Sequence, residues 1–108
     1  SPEETLTMQD QVENIHASTP LIQYIRDLLE RTRTDPDIRM GLSPRAGLAL
    51  LRCAKSWAFI DQRDYVLPED IQMVFPFVAG HRLAFRTEIS ETDTREAMGD
   101  LLNQVPIP

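Results

Sequence analysis

The chain has 108 residues, 42% of them hydrophobic and 26% charged, which is enough for one folded domain with an apolar core. Its 17 acidic and 11 basic residues give a net charge of −6, which argues against nucleic-acid binding because a basic face supplies most of that affinity. A single cysteine, Cys53, excludes an internal disulfide, His16 and His81 lack metal-site spacing, and no apolar run reaches the roughly 18 residues of a membrane span. We therefore predict a cytoplasmic protein.

Residues 1–18 are polar and weakly patterned, so we predict a loop or a short extended entry there. The first helix should begin after Thr19, because Pro20 suits the first turn, where its missing N–H costs nothing. It should end near Arg33, since residues 34–37 have the composition of a turn. Its apolar residues recur at helical spacing: Leu21, Ile22, Ile25, Leu28 and Leu29.

The second helix follows a loop over residues 35–42. It is predicted to begin at Ser43-Pro44, where serine can accept a hydrogen bond from the first turn, and to end by Asp61. This helix should be central, since small residues on its buried side permit close packing, and Cys53 should be a small buried side chain without chemistry. The predicted buried residues are Gly47, Leu50, Leu51, Ala54, Trp57 and Ala58.

A third helix is predicted from Pro68, with Glu69 and Asp70 in the first turn, where carboxylates complement the positive helix end. Pro76 lies inside its pattern, which predicts a kink or a break into two short helices. The buried residues of this helix should be Ile71, Val74, Phe75, Val78 and Ala79.

The last helix should begin at Thr92 or Asp93, where Glu96 can complete a capping box with Asp93, and it should end at Pro106. Its apolar stripe consists of Ala97, Met98, Leu101, Leu102 and Val105.

The connections between these helices are modest in length. Short extended pieces are predicted at residues 65–67 and around Leu83 and Phe85, where apolar and polar residues alternate. Four amphipathic helices predict an all-α fold, a small four-helix bundle with a short extended segment.

Arg45 is unusual because it lies in the first turn of the second predicted helix, where the helix dipole disfavours a cation by roughly 0.3–1 kcal/mol. Function is one compensation for a residue that breaks a local rule. A helix N-terminus and a guanidinium together suit a phosphate ligand, whereas the alternative is an ion pair with Asp35 or Asp37 in the preceding loop. Arg52, seven residues on, either extends a basic stripe or is simply solvated.

No catalytic constellation is recognisable in the sequence. Residues 49–56 have the spacing of the phosphate-binding motif GxxxxGK[ST], but alanine replaces both glycines, so we predict a helix interior. Trp57 is expected to pack in the core or against another domain. His81 and Arg82 suit the C-terminal end of the third helix, where a cation is stabilised, and a partner contact there is the alternative.

Several motifs follow one another along the chain: Tyr24-Ile25 through Thr32-Arg33, Gly41-Leu42-Ser43-Pro44-Arg45-Ala46, Trp57-Ala58, Arg63-Asp64-Tyr65-Val66, Pro68-Glu69-Asp70-Ile71, His81-Arg82-Leu83 and Val105-Pro106-Ile107-Pro108. Each motif is weak alone, but their order and spacing together are specific. The combination resembles the C-terminal lid domain of MoxR-type AAA+ ATPases over roughly residues 9–108.

The resemblance implies that residues 19–108 form a helical lid domain and that residues 1–18 lead in from an ATPase core outside this sequence. It gives Arg45 the role of the sensor-two arginine, which reaches from the lid to the nucleotide phosphates. The family's Walker A, Walker B, sensor-one and arginine-finger residues have no counterparts here, so the fragment alone should not hydrolyse ATP. One departure is Leu67, where the family tends to have a capping threonine or a similar residue before the proline.

For the parent protein, the resemblance implies an ATPase that uses ATP and Mg2+, neither of which the fragment alone is expected to bind. Lid rotation would reshape a ring, expected to be a hexamer, that acts as a chaperone on client proteins. The implied partners are the parent's own ATPase core, neighbouring subunits and a protein with a von Willebrand factor A domain. No nucleic acid is expected as a partner.

Two other classes of protein remain open at this point. A chain of several short helices could include the helix-turn-helix of a stand-alone DNA-binding domain, although the net charge and the lack of a basic recognition helix count against it. Residues 66–71 also resemble the entry to the last helix of the histone fold, which would make the chain a dimerisation module. That fold needs a central helix extending well beyond Asp61.

Overall fold

The computed structural model describes residues 1–87 and 90–108. Within them the chain forms five helices and two short strands: α1 (Pro2–Glu13), α2 (Thr19–Thr34), β1 (Ile38–Met40), α3 (Pro44–Ile60), α4 (Pro68–Ala79), β2 (Ala84–Phe85) and α5 (Glu91–Asn103). The predicted helical fold is confirmed, with an antiparallel pairing of β1 and β2 added to it. No helix in this part of the chain is both long enough and apolar enough to cross a membrane.

Local caps set the starts of the three central helices. The hydroxyl of Ser18 caps α2, and the hydroxyl of Ser43 accepts the N–H of Ala46 at 3.4 Å at the start of α3. Leu67 has no side-chain acceptor for α4, but the carboxylate of Asp70 accepts the Leu67 N–H at 2.7 Å. This bond closes the N-terminal end of α4 from within the helix and compensates for the missing cap.

The core is built around α3, which packs mainly on α4 and also contacts α1 and α2. Ala54 and Ala58 are fully buried on α3, and such small side chains let neighbouring helices approach closely. The predicted apolar stripe of α4 is buried throughout. The largest fully buried apolar side chains include Tyr24, Leu28, Leu42, Leu50, Ile71, Phe75 and Met98.

Two residues predicted to be buried on α3 lie at the surface instead. Trp57 exposes 43% of its area, and Cys53 is exposed. Each comes one position before a buried alanine, Ala58 or Ala54, and is therefore rotated by about 100° around the helix. The buried stripe of α3 is narrower than the sequence pattern suggested, so the predicted burial of both side chains in the core is wrong. A contact of Trp57 with another domain stays a prediction.

Residues 1–18 contain the helix α1, which corrects the predicted loop. A capping box begins it, since the Ser1 hydroxyl accepts the Glu4 N–H at 3.2 Å and the Glu4 carboxylate accepts from the Ser1 amine at 3.5 Å. Pro2 occupies the first helical position. None of the α1 residues is buried, so the sequence contained no apolar stripe that would have revealed this helix.

The C-terminal end of α1 is attached to the rest of the domain. The His16 N–H donates to the Asp64 carbonyl at 2.8 Å, and the His16 carbonyl accepts the Val66 N–H at 2.8 Å, in agreement with the predicted extended piece at residues 65–67. The ammonium group of Lys55, the chain's single lysine, donates to the Glu13 carbonyl at 3.1 Å. A cation at a helix C-terminus is favourable, so Lys55 stabilises the last turn of α1.

Replacing Lys55 with methionine should loosen α1, because the substitution removes the ammonium donor and keeps most of the apolar stem. We expect the backbone amides of α1 to exchange with deuterium roughly two- to tenfold faster, the range set by the net free energy of one hydrogen bond. Hydrogen exchange of the full-length protein, read by mass spectrometry, measures this. Lys55→Arg is the control and should exchange as the parent does; equal exchange in Lys55→Met would contradict the capping role.

The start of α5 differs from the prediction. The helix begins at Glu91, before Thr92 and Asp93, because Ser90 provides the cap and its hydroxyl accepts the Asp93 N–H at 3.1 Å. The capping box predicted between Asp93 and Glu96 is therefore wrong.

Pro76 does not break α4 into two short helices, so of the two predicted alternatives the break is excluded. The Gly80 N–H donates to the Pro76 carbonyl at 2.9 Å, so the hydrogen-bond ladder resumes after the proline. Phe75 and Val78, on either side of Pro76, are buried in the same core and hold both halves of the helix together. The kink at Pro76 stays a prediction.

The strand pair confirms one expectation and corrects another. The extended segment predicted around Leu83 and Phe85 contains β2. Its partner β1 lies inside the predicted loop over residues 35–42, where the buried side chain of Ile38 anchors it to the core.

Candidate functional site

Arg45 lies in the first turn of α3, and its side chain is exposed. It makes no ion pair or hydrogen bond with any residue in the ranges 1–87 and 90–108. Asp35 instead pairs with Arg31, whose Nη2 lies 3.4 Å from Oδ2 of Asp35, and its other oxygen accepts the backbone N–H of Asp37 at 2.8 Å. The ion pair considered for Arg45 in the preceding loop is therefore not formed.

The backbone at the start of α3 has little spare hydrogen-bonding capacity. Pro44 has no N–H, and the N–H of Ala46 and of Gly47 both donate to the Ser43 carbonyl, at 3.0 and 3.3 Å. Among the described residues the N–H of Arg45 has no acceptor. This helix end therefore offers an anion one N–H, one guanidinium and the positive end of the helix dipole.

The described residues fit a contact to a phosphate and do not form a complete nucleotide pocket. Within the described ranges no group of three or more His, Cys, Asp or Glu side chains could hold a metal ion. A magnesium ion that accompanies ATP would have to be held by other parts of a full-length protein.

Two clefts adjoin the start of α3, although Arg45 itself lines neither of them. Pro44, one residue before Arg45, lines two adjoining shallow clefts between α2 and α3, which share Arg26 and Leu29 in their walls. A larger cleft, lined by residues of α1 and by Phe59 and Arg63, lies at the opposite end of α3. Since α3 has 17 residues and a helix rises 1.5 Å per residue, that cleft is roughly 25 Å away from Arg45.

The chain that leads into α3 is fastened to the C-terminal turn of α2 by an entry clamp, which we define as Thr32, Arg33, Gly41 and Leu42. The Thr32 hydroxyl accepts the Leu42 N–H at 3.0 Å, and Nε of Arg33 donates to the Leu42 carbonyl at 3.2 Å. The side chain of Leu42 is 2% exposed. Both polar groups of the Leu42 backbone and its side chain are therefore held in place three residues before Arg45.

Gly41 permits the close approach that the entry clamp needs. A Cβ atom there would lie 2.9 Å from the backbone nitrogen of Arg33 and 2.9 Å from the carbonyl carbon of Thr32. At Gly47, in the second turn of α3, an added Cβ would lie 2.8 Å from Cδ1 of Leu29, the mobile end of a side chain. Backbone atoms yield less easily than a terminal methyl group, so only the first glycine is strictly required.

Gly41→Ala should therefore lower the free energy of unfolding by about 2–3 kcal/mol, at the upper end of the cost of overpacking. Gly47→Ala should change it by less than about 1 kcal/mol, because the helix propensity gained by alanine offsets the displacement of the Leu29 methyl. Urea unfolding followed by circular dichroism measures both variants. Equal effects of the two substitutions would contradict the distinction between backbone and side-chain contacts.

The other basic candidates occupy separate places. Arg82 donates from Nη1 to the Val78 carbonyl at 3.0 Å, which confirms the prediction of a cation at the C-terminal end of α4. His81 and Arg52 are exposed, and a contact of either with a partner stays a prediction. Residues 49–56 lie within α3, as predicted for a helix interior.

Sequence reasoning missed a salt bridge between Arg63 and Asp70. The guanidinium of Arg63 donates to both carboxylate oxygens of Asp70, at 2.8 and 2.6 Å, and also to Asp61 at 2.9 Å. These hydrogen bonds, that of Asp70 first and that of Asp61 second, raise the pKa of Arg63 further above its ordinary value. Since Asp70 also accepts the Leu67 N–H, the pair fixes the connection between α3 and α4.

The chain is similar to proteins of one family. Residues 30–101 match the AAA lid domain family. The chain is similar to the uncharacterised protein YeaC of Bacillus subtilis, with 36% identity over 86 residues. That alignment covers 80% of this chain and 27% of the relative. It is also similar to Chaperone MoxR1 of Mycobacterium tuberculosis, with 33% identity over 87 residues. That alignment covers 72% of this chain and 23% of the relative. A crystal structure from Cytophaga hutchinsonii, of a protein provisionally described as an ATPase, matches with a TM-score of 0.81 and 32% identity, over 92% of this chain and 33% of that one.

The helical fold, together with these matches, defines a lid domain of an AAA protein. The chain belongs to the AAA lid domain family, and within it to the lids of MoxR-type AAA+ ATPases. It spans about a quarter of the length of the curated relatives named above.

This family membership settles the alternatives left open by the sequence. A histone-fold-like module would need a central helix that continues well beyond Asp61, whereas α3 ends at Ile60. Neither that module nor a stand-alone DNA-binding domain matches the family to which the chain belongs.

Proposed function

We propose that Arg45 contacts the phosphates of an ATP molecule held by the ATPase core of the full-length protein, and that the lid closes on that nucleotide. The observation that carries the proposal is the exposed guanidinium in the first turn of α3, which has no partner among the described residues. A surface cation at the positive end of a helix is locally unfavourable, and an anionic ligand reverses that penalty.

In this proposal the lid residues bind and sense the nucleotide, and other parts of the full-length protein carry out the reaction. The guanidinium of Arg45 would donate to phosphate oxygens and balance their negative charge. Magnesium, held outside this chain, would supply further neutralisation of the phosphates. When the terminal phosphoryl group leaves, Arg45 loses an acceptor, and the lid can then rotate as a rigid body.

We further propose a chaperone-type role for the full-length protein, in a ring that is expected to be hexameric. The support is that the relative from Mycobacterium tuberculosis is named a chaperone. The neighbouring subunits and a protein with a von Willebrand factor A domain are proposed as partners on the family resemblance. The cytoplasmic location predicted from the composition also stays a proposal.

ATP hydrolysis by the full-length protein tests the central proposal. We expect magnesium-dependent release of phosphate from ATP, with a strong dependence on Arg45. A full-length protein that neither binds nor hydrolyses ATP would overturn it.

A further inference from the structure

We propose that Thr32 is a positioning residue for Arg45, acting through the entry clamp. The inference rests on the proposed function, because it concerns how the same arginine is aimed at its ligand. Thr32 lies at the end of α2, 13 positions before Arg45 in the sequence, and it is fully buried.

The hydroxyl of Thr32 connects two backbone segments. It donates to the Leu29 carbonyl within α2 at 2.6 Å and accepts the Leu42 N–H at 3.0 Å. The donation leaves the lone pairs of the oxygen directed towards Leu42, so the hydroxyl is used as both donor and acceptor. A valine has nearly the same shape but leaves the buried Leu42 N–H without this acceptor.

Leu42 is only three residues before Arg45, so the position of its backbone determines where the first turn of α3 lies. Ser43 follows Leu42 directly and caps α3, and Arg45 is the second residue of that helix. The helical backbone leaves no flexible segment between the cap and Arg45. A shift of Leu42 therefore moves the first turn of α3 and with it the guanidinium, and a misplacement of about 1 Å at a reacting centre can cost 100-fold in rate.

The other residues of the entry clamp also hold the chain that enters α3 against α2. Arg33 holds the Leu42 carbonyl from the solvent side at 3.2 Å. Gly41 lies against the backbone of α2 with no room for a Cβ atom. Thr34, two residues after Thr32, also has a hydroxyl that donates to its own helix, at the Arg31 carbonyl, but it is exposed and makes no hydrogen bond to the described residues that enter α3.

A double-mutant cycle in the full-length protein separates positioning from general stability. We expect Thr32→Val to lower the rate of ATP hydrolysis about tenfold in the parent and less than twofold in an Arg45→Ala background, because no guanidinium remains to be misplaced. Thr32→Ser keeps the hydroxyl and should retain at least half the parental rate. Thr34→Val is the matched control and should leave the rate unchanged.

Arg33→Met provides a second variant in case Thr32→Val fails to fold, since the Arg33 side chain is 45% exposed whereas Thr32 is fully buried. It should lower the rate about threefold, again without a further effect in the Arg45→Ala background. Equal fold-losses in the two backgrounds, from either variant, would overturn the positioning role and leave the proposed function intact. If Arg45→Ala itself hydrolyses ATP at the parental rate, the proposed function fails, and the positioning role fails with it.

Discussion

Replacing Arg45 with alanine in the full-length protein should lower the rate of ATP hydrolysis by about 10- to 100-fold. A hydrogen bond to a charged group contributes about 1.5–3 kcal/mol, which corresponds to that range of rates. The stability of the lid should not fall, because the described residues form no bond to this side chain, and removal of a cation from a helix N-terminus is mildly favourable. Phosphate release at saturating ATP gives the rate, and calorimetry gives the unfolding temperature.

Two further variants make the result for Arg45 specific. Arg45→Lys keeps the charge but loses the planar, bidentate donor geometry, so its rate should lie between those of the parent and the alanine variant. Arg95→Ala removes the same charge from an exposed position on α5 and should leave the rate unchanged. A parental rate in Arg45→Ala, or an equal loss in Arg95→Ala, would contradict a direct contact with phosphate. A variant that binds nucleotide normally but no longer closes its lid would still support that contact.

The central helices could be predicted from the sequence because their signals are local. Ser43-Pro44 and Pro68 mark helix starts through caps and a fixed φ angle, and the structure begins α3 and α4 at those prolines. The position of Arg45 in the first turn of α3 could be predicted in the same way, whereas its contact with phosphate stays a prediction.

The helix α1 escaped prediction because it has no buried side. An apolar periodicity in the sequence reflects a buried helix face, and α1 has no buried residue that would produce one. Its local signal was present, however, since Ser1 and Glu4 stand at the spacing of a capping box. A cap without an apolar stripe was therefore the feature that the sequence reasoning undervalued.

The entry clamp and the Arg63–Asp70 pair could not have been predicted from local patterns. Thr32 and Leu42 are 10 positions apart, on either side of a loop and a strand, and nothing in the sequence specifies that the Thr32 hydroxyl meets the Leu42 N–H. An acidic residue such as Asp70 is expected in the first turn of a helix for local electrostatic reasons. The sequence therefore offered no reason to expect its salt bridge with Arg63. Such contacts depend on how α2, α3 and α4 pack, and packing is decided by the whole chain.

The Arg63–Asp70 pair leads to the largest expected effect on stability. Asp70→Ala should lower the unfolding temperature of the lid by about 15 °C, because it removes both bonds to Arg63 and the acceptor for the Leu67 N–H in one step. Asp70 is nearly fully buried, so water cannot readily replace the lost carboxylate. Asp70→Asn keeps one oxygen acceptor and the shape of the side chain, and its effect should be about half as large. Differential scanning calorimetry of the full-length protein measures the transition.

Asp61 provides the matched control for this prediction, since its carboxylate also accepts from Arg63, at 2.9 Å, but is 65% exposed. Asp61→Ala should lower the unfolding temperature by no more than about 3 °C, because a surface ion pair contributes little and water replaces the missing acceptor. The two aspartates thus have the same partner and differ in burial and in the additional bond of Asp70 to the start of α4. Similar decreases in the unfolding temperature of the two variants would mean that any carboxylate that pairs with Arg63 stabilises the lid equally, whether it is buried or exposed. A large decrease confined to Asp70→Ala would show that the buried carboxylate holds the α3–α4 connection together.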